Sequence, residues 1–299
     1  MIRVRPQLLL DSEGKEILDK GREAFDLTVN DVSAGTHGSH WKDIIAHWHR
    51  ELELFRLETG QVRVQAGTEE FTLEPGQGCF FNTGVLHSMD LSGNWHYRSY
   101  VFGPEIVSGA PGSVFDTRYV LPLLADGPAF LLFPAESRFS REFDRVCAAC
   151  GQEALGFEFE ARTGLSRMIA MITEKAQPMP TRRVAGEQES RVKEMMSWIE
   201  ENLGREVTVR DIAGAAHVCP RTCQKAFQRY LHCSPVEYLQ RRRILAAAQR
   251  LASTDAPVTD IAFQCGFSSH SYFSKSFKAV MGSTPVEYRA AAQWVLPEG

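Results

Sequence analysis

The C-terminal part of the chain contains an internal repeat, and this repeat restricts the fold more than any other feature of the sequence. Residues 234–238, Ser-Pro-Val-Glu-Tyr, recur at an offset of 50 as residues 284–288, Thr-Pro-Val-Glu-Tyr. Residues 211–213, Asp-Ile-Ala, recur at an offset of 49 as residues 260–262, so the second copy has one additional residue between the two matches. Self-similarity of this kind is typical of one structural unit that occurs twice in tandem.

Each copy of the repeat has the pattern of two helices joined by a tight turn. Apolar residues recur at intervals of three and four, as on the buried face of an amphipathic helix. Thr208 followed by Asp211 resembles a capping box at the start of the first unit, and Ser269 can cap the second helix of the second unit. The sequence therefore predicts two helix-turn-helix units, at about residues 207–232 and 257–281.

The second helix of each unit is predicted to turn polar side chains outward. Arginine and lysine can donate to the O6 and N7 atoms of guanine, and glutamine can pair with adenine. We therefore expect these residues to contact DNA; the alternative is an ordinary solvated helix face. The outward-facing residues are Arg221, Gln224, Lys225 and Gln228 in the first unit and His270, Ser271, Ser274 and Lys275 in the second.

The net charge of -4 is divided unequally along the chain. Residues 181–299 hold 16 Lys+Arg and 12 Asp+Glu, a charge of +4, and the other 17 basic and 25 acidic residues give residues 1–180 a charge of -8. The segment from Cys219 to Arg250 contains seven basic residues and the single acid Glu237. A polyanionic partner therefore belongs to the C-terminal part, and we interpret the basic residues of this segment as facing phosphates.

The N-terminal part has the pattern of a β-sheet domain followed by two helices. From Phe25 to Phe102, short runs of alternating apolar and polar residues are separated by glycine-containing turns, as in a compact sandwich or small barrel. After Ser137, apolar residues recur at three and four and predict two amphipathic helices, separated near Gly156. These helices either cover the sheet or pair with a second subunit.

A segment with two prolines and few apolar residues, beginning at residue 177, separates the two parts. We expect a two-domain α+β chain. Residues 1–176 form a β-barrel domain with two trailing helices, residues 177–188 the linker and residues 189–299 an all-α domain. No stretch of the sequence is apolar enough for a membrane span, so we expect a cytoplasmic protein without a membrane partner.

The C-terminal part resembles the AraC/XylS family of transcriptional regulators over about residues 189–290. The motifs are Asp-Ile-Ala at 260–262, Cys-Gly-Phe-Ser-Ser at 265–269, Tyr-Phe at 272–273, Phe-Lys at 277–278 and Pro-Val-Glu-Tyr-Arg at 285–289. The resemblance implies two three-helix subdomains joined by a rigid helix near residues 236–251, with both recognition helices in the major groove of double-stranded DNA. It implies DNA contacts at six of the outward-facing positions: Arg221, Gln224 and Lys225 in the first unit and His270, Ser271 and Lys275 in the second.

One position departs from this family pattern. The glycine that commonly follows the recognition helix is kept as Gly282 in the second unit but is His232 in the first. A left-handed conformation costs a residue with a Cβ atom about 1 kcal/mol. We therefore expect a different helix cap in the first unit.

Residues 46–88 resemble the two motifs of a cupin barrel, the usual N-terminal half of this family. In metal-binding cupins the positions that match His47, His49, Glu53 and His87 are ligands of one divalent ion, and these side chains suit Zn, Ni or Fe. Residues 47, 49, 51 and 53 are expected to share one face of a strand. Two departures are Trp41 at the motif's leading glycine and Asn82 at its proline.

The preferred interpretation of this motif is a metal-free pocket, with a bound metal as the alternative. The four residues would then form hydrogen bonds inside the barrel. Arg56, Trp95 and Arg98 are expected on the same face, where they would help to bind a small polar effector.

Two classes of function fit these features. The preferred one is a sequence-specific DNA-binding regulator that responds to a small-molecule effector, forms a homodimer through residues 137–175 and contacts RNA polymerase if it activates transcription. The alternative is a metal-dependent cupin enzyme, a dioxygenase or isomerase, fused to a DNA-binding module. The sequence shows neither a phosphate-binding glycine loop nor a Ser/His/Asp nucleophile pattern.

The seven cysteines lack a repeated disulfide or metal spacing, so we interpret them as reduced thiols. Three of them, Cys219, Cys223 and Cys233, lie in or next to the first DNA-reading unit. A response of DNA binding to thiol oxidation is therefore a third hypothesis, and ordinary packing of these side chains is preferred to it.

Overall fold

The computed structural model describes residues 2–3, 25–34, 43–176 and 186–293. Within them the chain forms two compact units, with the division between residues 186 and 187. Most of the expected linker, residues 177–185, lies outside the described residues, as does Trp41. The next helix begins at Glu187, two residues before the expected start of the all-α domain. None of the described helices has the length and apolar character needed to span a membrane.

The first unit is built on a β-sheet, as the alternating pattern predicts. Its described strands are β1 (Ile2–Arg3), β2 (Leu27–Ser33), β3 (Asp43–His47), β4 (Leu52–Ala66), β5 (Glu69–Leu73), β6 (Gly78–Phe81), β7 (His87–Phe102) and β8 (Phe130–Phe133). The main path through the sheet runs β1-β2-β7-β4-β6-β8, while β3 pairs with β7 and β5 with β4. No pairing among these described strands joins β1 to β8, so hydrogen bonds do not close the sheet into a complete barrel.

The two longest strands, β4 and β7, divide the sheet into two halves. They pair with each other along most of their length, with register shifts between Leu57 and Gln61. The first half of β4 also pairs with β6 and its second half with β5. Likewise, β7 pairs with β3 near its start and with β2 near its end. Each long strand therefore contributes residues to both halves.

Two helices, α3 (Arg138–Gln152) and α4 (Phe157–Ala176), match the predicted pair. Their apolar residues are buried in one cluster with residues of the sheet, among them Leu54 and Tyr100. The hydroxyl of Tyr100 donates to the carbonyl oxygen of Phe143 at 2.7 Å. Of the two expected arrangements, the structure shows that these helices cover the sheet.

The segment between β7 and α3 contains elements that the sequence pattern does not predict. These are α1 (Glu105–Ser108), a π-helical turn (Asp116–Val120), α2 (Leu121–Asp126) and the strand β8, which pairs with β6. Each element has six residues or fewer. Such lengths are too short for hydrophobic periodicity to distinguish helix from strand.

The second unit is helical throughout its described residues. Its helices are α5 (Glu187–Glu201), α6 (Val209–Ala215), α7 (Pro220–Leu231), α8 (Pro235–Ser253), α9 (Val258–Gln264), α10 (His270–Met281) and α11 (Pro285–Gln293). The pairs α6–α7 and α9–α10 form the two helix-turn-helix units, and α8 joins them. From α6 to α9 the offset is 49 and from α7 to α10 it is 50, so the additional residue lies in the second turn, as predicted.

The N-terminal helix caps that the sequence predicts are present in both units. The C-terminal cap of the first unit differs from expectation. Thr208 and Asp211 form a reciprocal capping box, and the hydroxyl of Ser269 accepts a backbone N–H of α10. The residue after the second helix is left-handed in both units, with φ 51° at His232 and 75° at Gly282. The expectation of a different cap at His232 is therefore wrong, because the first unit keeps the same backbone conformation.

Candidate nucleic-acid interface and buried histidine cluster

The first helix-turn-helix unit buries one side of α7 and exposes the other. Cys223 and Phe227 are completely buried, at the spacing of one helical turn. The three predicted contact residues of this helix, Arg221, Gln224 and Lys225, are all exposed and lie in its first half. We refer to these three side chains as the α7 face.

The second unit repeats this arrangement on α10. Phe273 and Phe277 are completely buried. His270, Ser271 and Lys275 are exposed, again in the first half of the helix, and we refer to them as the α10 face. The structure therefore brings all six predicted residues to the surface, three on each second helix.

Tyr272 of α10 is exposed although its neighbour Phe273 is buried. Its apolar ring and its place beside Phe273 indicate the buried side of α10, yet its side chain is 46% exposed. The hydroxyl accepts a hydrogen bond from Nε2 of Gln240 on α8. The signal is the helical period, because residues 273, 277 and 281 form the buried row and residue 272 does not belong to it.

Two arginines of the basic segment face the interior of the second unit. Arg242 is 4% exposed and forms an ion pair with Glu200 of α5, with Nη2 to Oε2 at 2.8 Å. Arg243 donates to the carbonyl oxygens of Leu203, at 2.8 Å, and Arg205. The interpretation of the whole segment as facing phosphates is therefore wrong for these two residues.

The four predicted ligand residues of the first unit meet in one buried cluster. One ligand atom from each of His47, His49, Glu53 and His87 lies within 4.8 Å of the others. His47 ends β3 and is the cross-strand partner of His87 at the start of β7. Residues 47–53 do not form one strand, which corrects the predicted alternation, because β3 ends at residue 47 and β4 begins at residue 52. The four side chains still converge.

Backbone carbonyl groups hold the three imidazole rings in one orientation. Nδ1 of His47, His49 and His87 lies 2.9, 3.0 and 2.9 Å from the carbonyl oxygen of a residue two positions away. Because a carbonyl oxygen only accepts, Nδ1 carries the proton in each ring, and a neutral ring then has its lone pair on Nε2. Hydrogen bonds of this kind orient the histidine ligands of metal sites.

Glu53 lies against two of these rings. Its Oε2 is 3.3 Å from Nε2 of His49 and 3.1 Å from Nε2 of His87. Burial alone would raise the pKa of Glu53, but its hydrogen bonds with the two histidines lower that pKa below the usual range. Burial, followed by the neighbouring imidazoles, lowers the pKa of His47 well below its usual value. An ionised carboxylate and a neutral imidazole therefore meet in a buried site.

The arginines expected beside this cluster lie on the opposite face of the sheet. Arg56 is three positions from Glu53 in β4, so the alternation of side chains directs it away from the cluster. Its guanidinium donates to Asp144 of α3 at 2.5 Å, and Arg98 donates to Asp31 at 3.0 Å. The prediction that Arg56 and Arg98 share a face with the cluster is wrong.

Trp95 lies on the face of the sheet that carries Glu53, which we call the inner face. Its ring stacks on Tyr97, with centroids 5.9 Å apart, and Tyr97 stacks on Phe55 at 4.9 Å. Phe55 follows Glu53 by two positions, so both point to the same side of β4. The inner face therefore combines a polar cluster with an aromatic stack.

Comparison with known proteins accounts for both parts of the chain. Residues 30–168 match the AraC-like ligand binding domain and residues 212–291 match a helix-turn-helix domain. The HTH-type transcriptional activator RhaS of Yersinia pestis is 31% identical over 251 residues, which are 82% of this chain and 88% of RhaS. This chain belongs to the AraC family of transcriptional regulators.

Other relatives of this AraC-family regulator include the HTH-type transcriptional regulator YdeC of Bacillus subtilis. It is 23% identical over 250 residues, 81% of this chain and 85% of YdeC. A crystal structure of ToxT from Vibrio cholerae covers 92% of this chain and 100% of that chain at 14% identity, with a TM-score of 0.48. The family confirms the predicted regulator function, with a ligand-binding and a DNA-binding part, and the curated relatives are regulators rather than enzymes.

In this AraC-family regulator, Asn82 occupies the position where the cupin motif has proline. Its buried amide donates to the carbonyl oxygens of Leu123, at 2.8 Å, and Pro128, at 3.1 Å. Proline has no side-chain donor and cannot make these bonds. Asn82, which departs from the motif, therefore connects the loop after β6 to α2 through its hydrogen bonds.

Proposed function

We propose that this AraC-family regulator inserts α7 and α10 into the major groove of double-stranded DNA, with the α7 face and the α10 face as its contact residues. The observation that carries the proposal is that all six side chains are exposed while the opposite side of each helix is buried. Exposed arginine, lysine and glutamine side chains near the start of a recognition helix have the donors and acceptors that base edges require.

The test is DNA affinity measured with an operator selected from a random pool. Lys225→Ala and Lys275→Ala are each expected to weaken binding by about 1–3 kcal/mol. Lys278→Ala is the matched control, since Lys278 has the same charge and exposure but lies in the last turn of α10. Unchanged affinity in both the Lys225 and Lys275 variants would contradict the proposed contact surface.

We also propose that the histidine cluster holds a divalent cation, Zn²⁺, Ni²⁺ or Fe²⁺. The support is the 3.1 and 3.3 Å approach of Glu53 to two imidazole nitrogens whose rings already use Nδ1 as donor. A carboxylate oxygen and an imidazole nitrogen approach this closely when a positive charge, a proton or a metal cation, lies between them. When bound, the cation supplies that charge, and the carbonyl groups that hold Nδ1 keep each ring turned toward it.

Elemental analysis of protein from metal-supplemented cultures tests the cation site. One transition metal ion per chain is expected, and Glu53→Gln and His49→Ala should each reduce this content strongly. His96→Ala is the matched control, because His96 is a histidine of β7 that pairs instead with Asp31 at 2.5 Å. Wild-type protein that contains no transition metal would leave the metal-free pocket as the correct interpretation.

We place the effector on the inner face, beside the cluster and the aromatic stack of Trp95 and Tyr97. A thermal-shift screen of sugars, organic acids and aromatic compounds tests this placement. A ligand that binds only the folded state adds about 2.7 kcal/mol of stability at a concentration of 100 times its Kd. Trp95→Ala is expected to remove the shift. A ligand whose effect survives both Trp95→Ala and Glu53→Gln must bind elsewhere.

We further propose a cytoplasmic homodimer, formed through the region of α3 and α4, with residues 1–176 as the sensor domain and residues 189–299 as the DNA-binding domain. Leu155 and Phe159, in and after the turn between these helices, are exposed apolar side chains that support such a contact. Light scattering of the free protein and of its DNA complex checks the dimer, and monomers in both would contradict it. If transcription rises in a reconstituted assay, RNA polymerase is the expected partner.

A further inference from the structure

Two turns of the helical part of the chain contact each other through their backbones. One is the turn after α5, residues 202–205, and the other is the turn between α9 and α10. A Cβ atom on Gly266 would lie 2.3 Å from the carbonyl oxygen of Leu203. A Cβ atom on Gly204 would lie 2.7 Å from the carbonyl oxygen of Gln264. Neither turn has room for a side chain at its point of contact.

Arg243 of α8 lies at this contact and bonds to one side of it. Its Nε donates to the carbonyl oxygen of Leu203 at 2.8 Å, and its Nη2 donates to that of Arg205. A Cβ atom on Gly266 would also lie 2.8 Å from Cζ of Arg243, so the guanidinium packs directly against the second turn. One side chain therefore touches the turn of the second unit and the turn after α5, the helix that packs against α6 and α7 of the first unit.

The first unit shows that the turn conformation alone does not require this glycine. His217 occupies the position that corresponds to Gly266, and it is exposed and left-handed with φ 54°. The backbone bonds agree as well: N of His217 donates to O of Gly214 at 3.1 Å, and N of Gly266 donates to O of Phe263 at 2.9 Å. Glycine is thus required in the second unit by the close contact with Leu203 and Arg243.

We propose that Arg243 is a positioning residue that sets the distance between the α7 face and the α10 face, and so the spacing of the two half-sites that the protein accepts. This inference rests on the proposed DNA contact through both faces. When two recognition helices are held at a fixed separation, binding of the first raises the effective concentration of the second at a matching half-site. This gain in affinity is lost when the spacing of the half-sites does not match. Arg243 makes this contribution without touching DNA.

The experiment compares the affinity of the full-length protein for the selected operator and for the same operator with one base pair inserted between its half-sites. We expect the wild type to bind the native spacing at least about ten-fold more tightly, because the second contact is lost on the mismatched site. Arg243→Ala should reduce this ratio toward one. Arg243→Lys keeps the charge but lacks the planar fork, so it should also lower the ratio.

A salt titration separates positioning from phosphate contact. If Arg243 bound a phosphate, its removal would reduce the slope of log K against log salt by about 0.9. A positioning role leaves the slope on the native site unchanged while the spacing ratio falls. Lys275→Ala is the comparison variant: because it removes a DNA contact, it should lower the affinity for the native spacing and, unlike Arg243→Ala, reduce the slope of log K against log salt.

A second variant tests the contact from the other turn, in case Arg243→Ala unfolds. Gly266→Ala places a Cβ atom against Leu203 and should lower the spacing ratio as well, with folding checked by circular dichroism. Folded Arg243 and Gly266 variants that keep the wild-type ratio would overturn the inference and leave the DNA contact intact. A wild type that shows no preference between spacings would instead refute the proposed use of both faces.

Discussion

The residue that ends the second helix of each unit differs between the repeats although its backbone conformation does not. Gly282 has φ 75° and His232 has φ 51°. A residue with a Cβ atom costs about 1–2 kcal/mol in this region. Gly282→Ala is therefore expected to lower the free energy of unfolding by about that amount, measured by thermal or urea denaturation of the full chain.

The matched substitution in the first unit should act in the opposite direction. His232→Gly removes the Cβ atom and is expected to raise the free energy of unfolding by about 0.5–1 kcal/mol. Equal destabilisation by Gly282→Ala and His232→Gly would show that side-chain contacts, rather than the left-handed backbone, determine stability at this position.

Cys219 differs chemically from the other cysteines, all of which lie within the described residues. It is the exposed one, and its Sγ lies 3.2 Å from the hydroxyl of Thr222, which lowers the pKa of the thiol. Burial raises the pKa of Cys223 and Cys233 to about 11. Since the thiolate is the nucleophile, alkylation at neutral pH should label Cys219 first.

Mass spectrometry of alkylated peptides as a function of pH measures this order of labelling. Thr222→Val keeps the shape of the side chain but removes its hydroxyl, so it should raise the pKa of Cys219 and slow labelling at neutral pH. If Cys219 and Cys223 reacted at the same rate in folded protein, the proposed difference in ionisation and burial would be incorrect.

Local spacing explains which site residues could be predicted from the sequence. His47, His49 and Glu53 lie within seven positions, and the exposed residues of α7 and α10 follow from the helical period, so both sets were accessible to pattern analysis. The face of Arg56 was accessible as well but was predicted wrongly, since Arg56 is three positions from Glu53 and strand alternation places the two side chains on opposite faces. A strand that starts at Leu52 directs Arg56 toward Asp144 of α3.

At the scale of elements, the ion pair of Arg242 and Glu200 connects α8 with α5. Both side chains are about 95% buried. Removing one member of a buried pair leaves an uncompensated charge and typically costs about 3–5 kcal/mol. Arg242→Met is therefore expected to destabilise the second unit by an amount of this order, measured as the free energy of unfolding in urea.

The double variant distinguishes the cost of the lone charge from loss of packing. Arg242→Met combined with Glu200→Gln should recover much of the stability, because no charge remains buried. A double variant as unstable as Arg242→Met alone would mean that the aliphatic packing of the arginine, not its charge, stabilises the contact between the helices.

The helices of the second unit could be predicted, whereas their tertiary contacts could not. Capping residues such as Thr208 and Ser269 and the apolar period are local signals, and they place α6 to α10 within a few residues. Glu200 is 42 positions from Arg242, and no local pattern indicates that the two side chains meet. The short elements between β7 and α3 were missed because a run of six residues or fewer is too short for its hydrophobic periodicity to be recognised.

At the scale of the whole molecule, the charge of +4 on residues 181–299 should make DNA binding strongly dependent on salt. Each phosphate neutralised by lysine or arginine adds about 0.9 to the slope of log K against log salt. We expect a linear plot whose slope corresponds to several phosphates, measured by fluorescence anisotropy between low and physiological salt. Binding that hardly changes with salt would contradict a phosphate-contacting surface.

The division into two parts was predictable, because the sign of the charge changes near residue 180 and a segment with two prolines and few apolar residues lies there. The course of the sheet was not. The sequence shows short alternating runs, but the pairing of β4 with β7 along most of two strands of 15 and 16 residues depends on long-range contacts. The glycines within these runs predicted turns that end a strand, but β4 and β7 continue through them.

The left-handed turn residue also distinguishes the first unit of the repeat from the second. The upstream unit tolerates His217 there because its turn is exposed, while the downstream unit has Gly266 pressed against a neighbouring carbonyl group. A chimera that exchanged the two units would bring an imidazole-bearing residue into a space too small for one carbon atom. The copies share a backbone conformation, but the first cannot take the place of the second.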